Sequence, residues 1–137
     1  MRPFFRCLIP ACLFSLLMMT PYASPAGSLD DYRWKKRVLV LLAPDASNRD
    51  LGQQRTACDQ APAAYEERDL IVLQETGADG PLHRRFHVPG PEFRLVLIGK
   101  DGHTALERSE PVANDDLFGL IDSMPMRREE MSRQKHP

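Results

Sequence analysis

Arg37-Val-Leu-Val-Leu-Leu-Ala43 is an unbroken apolar run that ends at Pro44-Asp45. A strand can be apolar on every residue only when both of its faces are covered, as at the centre of a sheet with parallel neighbours. Asp69-Leu-Ile-Val-Leu-Gln-Glu75 is a second such run. Roughly 25 residues separate the two, enough for a crossover helix, so the pair reads as a right-handed βαβ unit. Ser47, with Asp50 three residues on, resembles a capping box at the start of that helix. Leu51, Cys58, Ala61 and Tyr65 then form a stripe on one helical face, and Pro62 is expected to end or kink the helix.

The rest of the chain completes a compact order of elements. Pro81 to Val88 reads as a short helix with proline at its first position, stopped by Pro89-Gly90-Pro91. Phe93 to Ile98 is a third strand. Gly99-Lys-Asp-Gly102 signals a hairpin, with His103 to Arg108 as the return strand. Asn114 is expected to cap a last helix, with Asp115 and Asp116 at its positive end and Leu117, Leu120, Ile121 and Met124 on one face. Pro125 should end it, leaving Met126 to Met131 for another turn or two and a frayed, disordered tail over 132–137. The order β-α-β-α-β-β-α predicts an α/β domain with one mixed four-stranded sheet and helices on both faces. That is the thioredoxin-like plan.

Residues 1–26 read separately. Arg2 and Arg6 precede an apolar run from Cys7 to Met19, followed by small residues and prolines. This is the layout of a cleaved secretory signal peptide, with Ala26 the favoured cleavage point and Ala23 the alternative. The run is about 13 residues and contains Pro10, too short to span a bilayer, so no stable membrane span is expected after cleavage. Removing 26 of 137 residues leaves 111, read as one thioredoxin-like domain over 27–131. With Arg2 and Arg6 gone, 16 basic residues face 19 acidic ones, a net charge of −3. The mature chain therefore has no electrostatic footprint for nucleic acid. Cys7 and Cys12 also leave, and the one remaining thiol, Cys58, excludes an internal disulfide and any zinc site built on two or four cysteines. The chain has no Asn-x-Ser/Thr acceptor, which favours a periplasm over a eukaryotic secretory route.

Three blocks carry a family resemblance. They are Tyr32-x-Trp34-x-x-Arg37-Val-Leu-Val, Glu67-Arg-Asp-Leu70, and Leu97-Ile-Gly-Lys-Asp-Gly102 together with Leu120-Ile-Asp-Ser-Met-Pro-Met-Arg-Arg128. Over residues 29–131 the chain resembles a peroxiredoxin-like family of unknown function. That family is shared by small exported bacterial proteins and by extracellular animal proteins of the sushi-repeat and DRO/equarin type. The resemblance implies a thioredoxin-type fold and export to the periplasm or outside the cell. It implies no particular activity.

Thiol chemistry on this plan needs a thiolate where the first strand meets the first helix, because the helix dipole and free N–H groups there lower the thiol pKa. Ala43-Pro44-Asp45-Ala46-Ser47-Asn48 occupies that corner and holds no cysteine. Cys58 lies roughly 16 Å down the helix, where the dipole no longer acts. Its position on the apolar stripe reads as a core thiol, so a redox-inert binding module, requiring no cofactor, is the leading expectation. The alternative is a thiol-dependent peroxidase or reductase acting through Cys58.

Binding candidates follow from the same plan. Asp45, Ser47 and Asn48 stand at a helix start, where anions can bind, although Ser47 is equally a cap and Asp45 would oppose an anion. By resemblance, Pro91 matches the residue that is cis in thioredoxins, and Arg94 the arginine that opens the equivalent peroxiredoxin strand. Pro91 is equally a helix stop, and Arg94 equally an edge charge or a bidentate anion ligand. Tyr32 and Trp34 either cover the end of the sheet or anchor a partner. Met126, Arg127 and Arg128 belong to a Met-rich, charged tail that either presents an interaction surface or tucks its methionines inward and leaves its charges in water. His83 and His87 share the spacing of a metal pair, but two intervening arginines favour a solvated helix face. The expected partner is an unidentified protein or a small anionic ligand.

Overall fold

A computed structural model describes residues 28–136. The signal segment expected at 1–26 lies outside the described residues. The elements are β1 (Arg37–Ala43), α1 (Arg49–Asp59), α2 (Pro62–Glu67), β2 (Leu70–Thr76), α3 (Pro81–Arg85), β3 (Arg94–Ile98), β4 (Thr104–Arg108), α4 (Asn114–Ser123) and α5 (Pro125–Lys135), preceded by a 3-10 turn at Leu29–Tyr32. The sheet order is β2-β1-β3-β4. β1 runs parallel to β2 and antiparallel to β3, and β3 is antiparallel to β4. This is the mixed four-stranded, thioredoxin-like α/β sheet that the alternation of runs and turns implied.

All seven residues of β1 are buried, as its apolar composition requires. Alternation divides them between two cores. Leu39, Leu41 and Ala43 pack with Leu51, Cys58 and Tyr65 of α1 and α2 and with Leu117 and Ile121 of α4. Val38, Val40 and Leu42 pack with Leu73 of β2, Leu82 of α3, and Val88 and Leu29. Tyr32 packs against this second core and covers the sheet end, whereas Trp34 is 62% exposed. The β3–β4 hairpin closes as expected: Gly99 N–H donates to His103 O (2.9 Å), and Gly102 takes φ +85°, where an L side chain is strained.

Two expected caps and the frayed tail need correction, and two prolines do more than expected. The cap of α1 is Asn48, not Ser47: Asn48 Oδ1 accepts the Leu51 N–H at 3.0 Å. Asn114 is the first residue of α4, not its cap. Its side chain is drawn inward instead, donating to Ala57 O (2.7 Å) and accepting from Tyr65 Oη (3.1 Å). Pro62 breaks α1 but also begins α2, since proline's missing N–H costs nothing at a first helical position. Pro125 does the same for α5, which runs to Lys135 through most of the segment expected to fray.

Candidate functional site

At the far end of β1, where redox relatives of this fold place their thiolate, Asp45 and Ser47 bond each other and Arg94 pairs with two carboxylates, its Nε being left without a partner. Asp45 Oδ1 accepts the Ser47 N–H (2.8 Å) and the Ser47 hydroxyl (2.6 Å). These bonds hold the exposed Asp45 carboxyl below its ordinary range. The corner thus contains its own anion. Arg94 is committed to Glu107 (2.5 Å) and Glu92 (2.9 Å), and these carboxylates outweigh burial to keep it charged. Pro91 is exposed and follows a trans peptide bond. Among the described residues, no hydrogen bond or ion pair joins Asp45, Ser47 or Asn48 to Arg94.

Cys58 is buried in the first core, its Sγ 3.2 Å from Tyr65 Oη. Burial pushes the thiol up, against the weaker opposing effect of the Tyr65 bond. It sits beside a cavity of about 750 Å³ that also reaches Tyr65 and the β2 residues Ile71 and Val72. The thiol there is bonded and un-ionised at neutral pH, the opposite of an activated nucleophile.

His83 and His87 do not make a metal pair. α3 ends at Arg85, and His87 turns away at φ +52°. His83 is not solvated either: it is 1% exposed, with Nδ1 2.8 Å from Glu75 Oε1. Glu75 also accepts the Leu82 and His83 N–H groups at 3.1 and 2.8 Å. Burial raises the Glu75 carboxyl, but these bonds outweigh it and hold it low. A carboxylate only accepts, so His83 Nδ1 carries a proton. Glu75 carried no motif in the sequence, and only its place at the end of an apolar strand hinted at a buried charge.

The opposite end of the sheet is where the distinctive motifs meet. Arg37, the first residue of β1, is fully buried and reaches both oxygens of Glu130 in α5 (3.2 and 3.4 Å) and Arg68 O (2.8 Å). Lys100 in the hairpin bridges Glu130 (2.6 Å) and Asp69 (2.8 Å), and Lys36 also pairs with Asp69 (2.9 Å). Arg127 holds Glu67 (2.6 Å) and Asp122 (3.1 Å), and Arg68 holds Asp122 (2.7 Å). Burial raises the carboxyls of Asp69, Asp122 and Glu130, yet their cationic partners prevail and hold all three low. Arg127, expected on a wet surface or in a partner contact, is 1% exposed and ties α5 to the α2–β2 junction. Arg128 is exposed, and Met126 is half-buried.

Beside this cluster lies a cavity of about 340 Å³ whose lining includes Arg37, Lys100, Ala105, Met124 and Met126. Trp34 stands at the same end. It takes φ +68°, donates its N–H to Lys100 O (2.6 Å), and has the Arg33 guanidinium 5.3 Å from its ring centre.

A family model described as "Domain of unknown function (DUF4174)" matches residues 28–130. The chain belongs to the DUF4174 family. The cluster of Arg37, Glu67, Arg68, Asp69, Lys100, Asp122 and Arg127 is built from the blocks on which the family resemblance rested. Among curated proteins, this DUF4174 domain is 28% identical over 129 residues to the sushi repeat-containing protein SRPX2 of Bos taurus, covering 82% of this chain and 28% of that protein. It is 28% identical over 126 residues to human SRPX, covering 80% of this chain and 27% of that protein. The chain therefore spans less than a third of the length of these relatives. Solved structures similar to it include the reduced 2-Cys peroxiredoxin of Plasmodium vivax (TM-score 0.58, 17% identity, 75% of this chain and 84% of that one). Plasmodium yoelii thioredoxin peroxidase I is comparable (TM-score 0.60, 19% identity, 75% and 80%). At these identities the likeness is one of fold. Among the described residues no helix is long and apolar enough to cross a membrane.

Proposed function

We propose that this DUF4174 domain is an exported, redox-inert thioredoxin-fold binding module, working in the periplasm or outside the cell. The observation that carries the reading is the fate of the thiol. The fold's reactive corner is filled by Asp45 and Ser47, and Cys58 is buried against Tyr65 with its pKa pushed up. The binding end is the base of the sheet. There the family's charged motifs, the exposed Trp34 and the Met124–Met126 cavity lie together. The partner is a protein or a small anionic ligand.

Alkylation of Cys58 in the purified folded protein, followed against pH with a denatured control, tests the inert reading. Reaction that stays slow until unfolding supports it. Fast reaction with an apparent pKa below the free-thiol value of about 8.5 overturns it in favour of a thiol-dependent enzyme. Amino-terminal sequencing of the protein recovered from the periplasm or medium tests export, with Gly27 the expected first residue.

A further inference from the structure

The cavity at the base of the sheet has a chemistry of its own. Its volume, about 340 Å³, lies in the range of small-molecule sites. Met124 and Met126 at the α4–α5 junction and Ala105 on β4 line it with apolar groups, and Arg37 and Lys100 line it with cations. Methionine side chains are flexible and polarisable, and adapt to an apolar guest.

The cations hold unused capacity. Arg37 is fully buried, yet its Nε has no hydrogen-bond partner. An ammonium group has three donors, and the Lys100 contacts with Asp69 and Glu130 occupy two. Five cations, Lys36, Arg37, Arg68, Lys100 and Arg127, face four carboxylates, Glu67, Asp69, Asp122 and Glu130. Asp101, also in the lining, is engaged by the His103 backbone N–H (3.0 Å) and ring (3.4 Å). Asp101 brings the carboxylates to five against the five cations, so the two open donors, one on Arg37 and one on Lys100, suit one carboxylate group and not a dianion.

We infer that this cavity binds a small monocarboxylate with a short apolar body. The carboxylate lies against Arg37 and Lys100, and the body lies between Met124 and Met126. The inference rests on the binding-module reading and names the ligand class of its site. Such a group can come from a free organic acid or from the carboxyl terminus of a peptide.

Backbone amide NMR titrations of the purified protein with hexanoate, N-acetylleucine and hexanamide test this. The carboxylates should shift the Lys100 and Ala105 amides saturably, and hexanamide should bind at least about tenfold more weakly. Tighter binding of N-acetylleucine than of hexanoate assigns a peptide terminus, and the reverse order assigns a free acid. Ala105→Phe fills the cavity from an exposed strand and should abolish the shifts. Met126→Glu, which adds a repelling charge to the wall, should weaken carboxylate binding by at least about tenfold. Carboxylates that leave these amides unmoved, equal binding of the amide, or shifts that survive both substitutions would overturn the inference. Alkylation of Cys58 in the same samples separates the two failures. An inert thiol with a silent cavity rejects only this site, and a reactive thiol rejects the binding-module reading.

Discussion

Arg37 and Glu130 stand 93 residues apart in the chain and meet through two guanidinium–carboxylate contacts of 3.2 and 3.4 Å. The arginine opens the central strand, and the glutamate lies in the last helix. The side chain of Arg37 is 1% exposed and that of Glu130 17%. Removing one member of such a pair strands the other charge in a low-dielectric setting. Glu130→Ala should therefore cost about 3 kcal/mol or more in urea denaturation, and Arg128→Ala, on the exposed face of the same helix, close to nothing.

Acid should dissolve the cluster. Asp69, Asp122, Glu130 and Glu75 all have carboxyls held below their ordinary values in the folded protein. A depressed folded pKa gives stability that is present above the unfolded pKa, about 4, and is lost as pH falls through the folded value. The melting midpoint should be flat from neutral pH to about 5 and fall steeply below about 4. Glu130→Gln should make that fall shallower, because one contributor is gone. An unchanged acid limb in that variant would contradict the assignment.

Two glycines should respond in opposite directions to alanine. A Cβ on Gly80 would lie 2.1 Å from the Glu75 carboxyl, on the buried pair with His83, so Gly80→Ala should destabilise by about 1–3 kcal/mol. A Cβ on Gly52, inside α1, meets nothing within 4 Å, so Gly52→Ala should stabilise by about 0.5–1 kcal/mol. Chemical denaturation of the two variants side by side checks both signs.

Trp34 adopts a left-handed backbone conformation that a bulky residue finds unfavourable, and its ring is mostly in water. Trp34→Asn should leave the melting midpoint unchanged or raise it, by up to about 1 kcal/mol of stability. A substantial loss would mean that the ring supports the fold rather than a partner contact.

Much of the fold was legible in the chain. The apolar run of β1 matches its observed limits, and the Gly99–Gly102 turn and the breaks at Pro62 and Pro125 were all readable. What misled was the destination of polar side chains. Ser47 and Asn114 are good caps by type, but Asn48 is better placed, and Asn114 is drawn to a carbonyl 57 residues away. Arg127 sits in a run of charges that resembles a solvated face. Only the three-dimensional approach of Glu67 and Asp122 makes its burial tolerable. The absence of a thiol at the corner was readable with no structure at all. The clustering of the family motifs at the opposite end was not, because it joins residues from four separate stretches of chain.

The Arg37–Glu130 contact also sets an order of events. The central strand is among the first parts of the domain to emerge, yet its buried guanidinium waits for a helix near the end of the chain. Loop-closure entropy makes such a distant pairing slow to form. An unfinished chain therefore holds an incentive to stay open until α5 has been made. Cutting the chain before α5 should leave a species that collapses without locking.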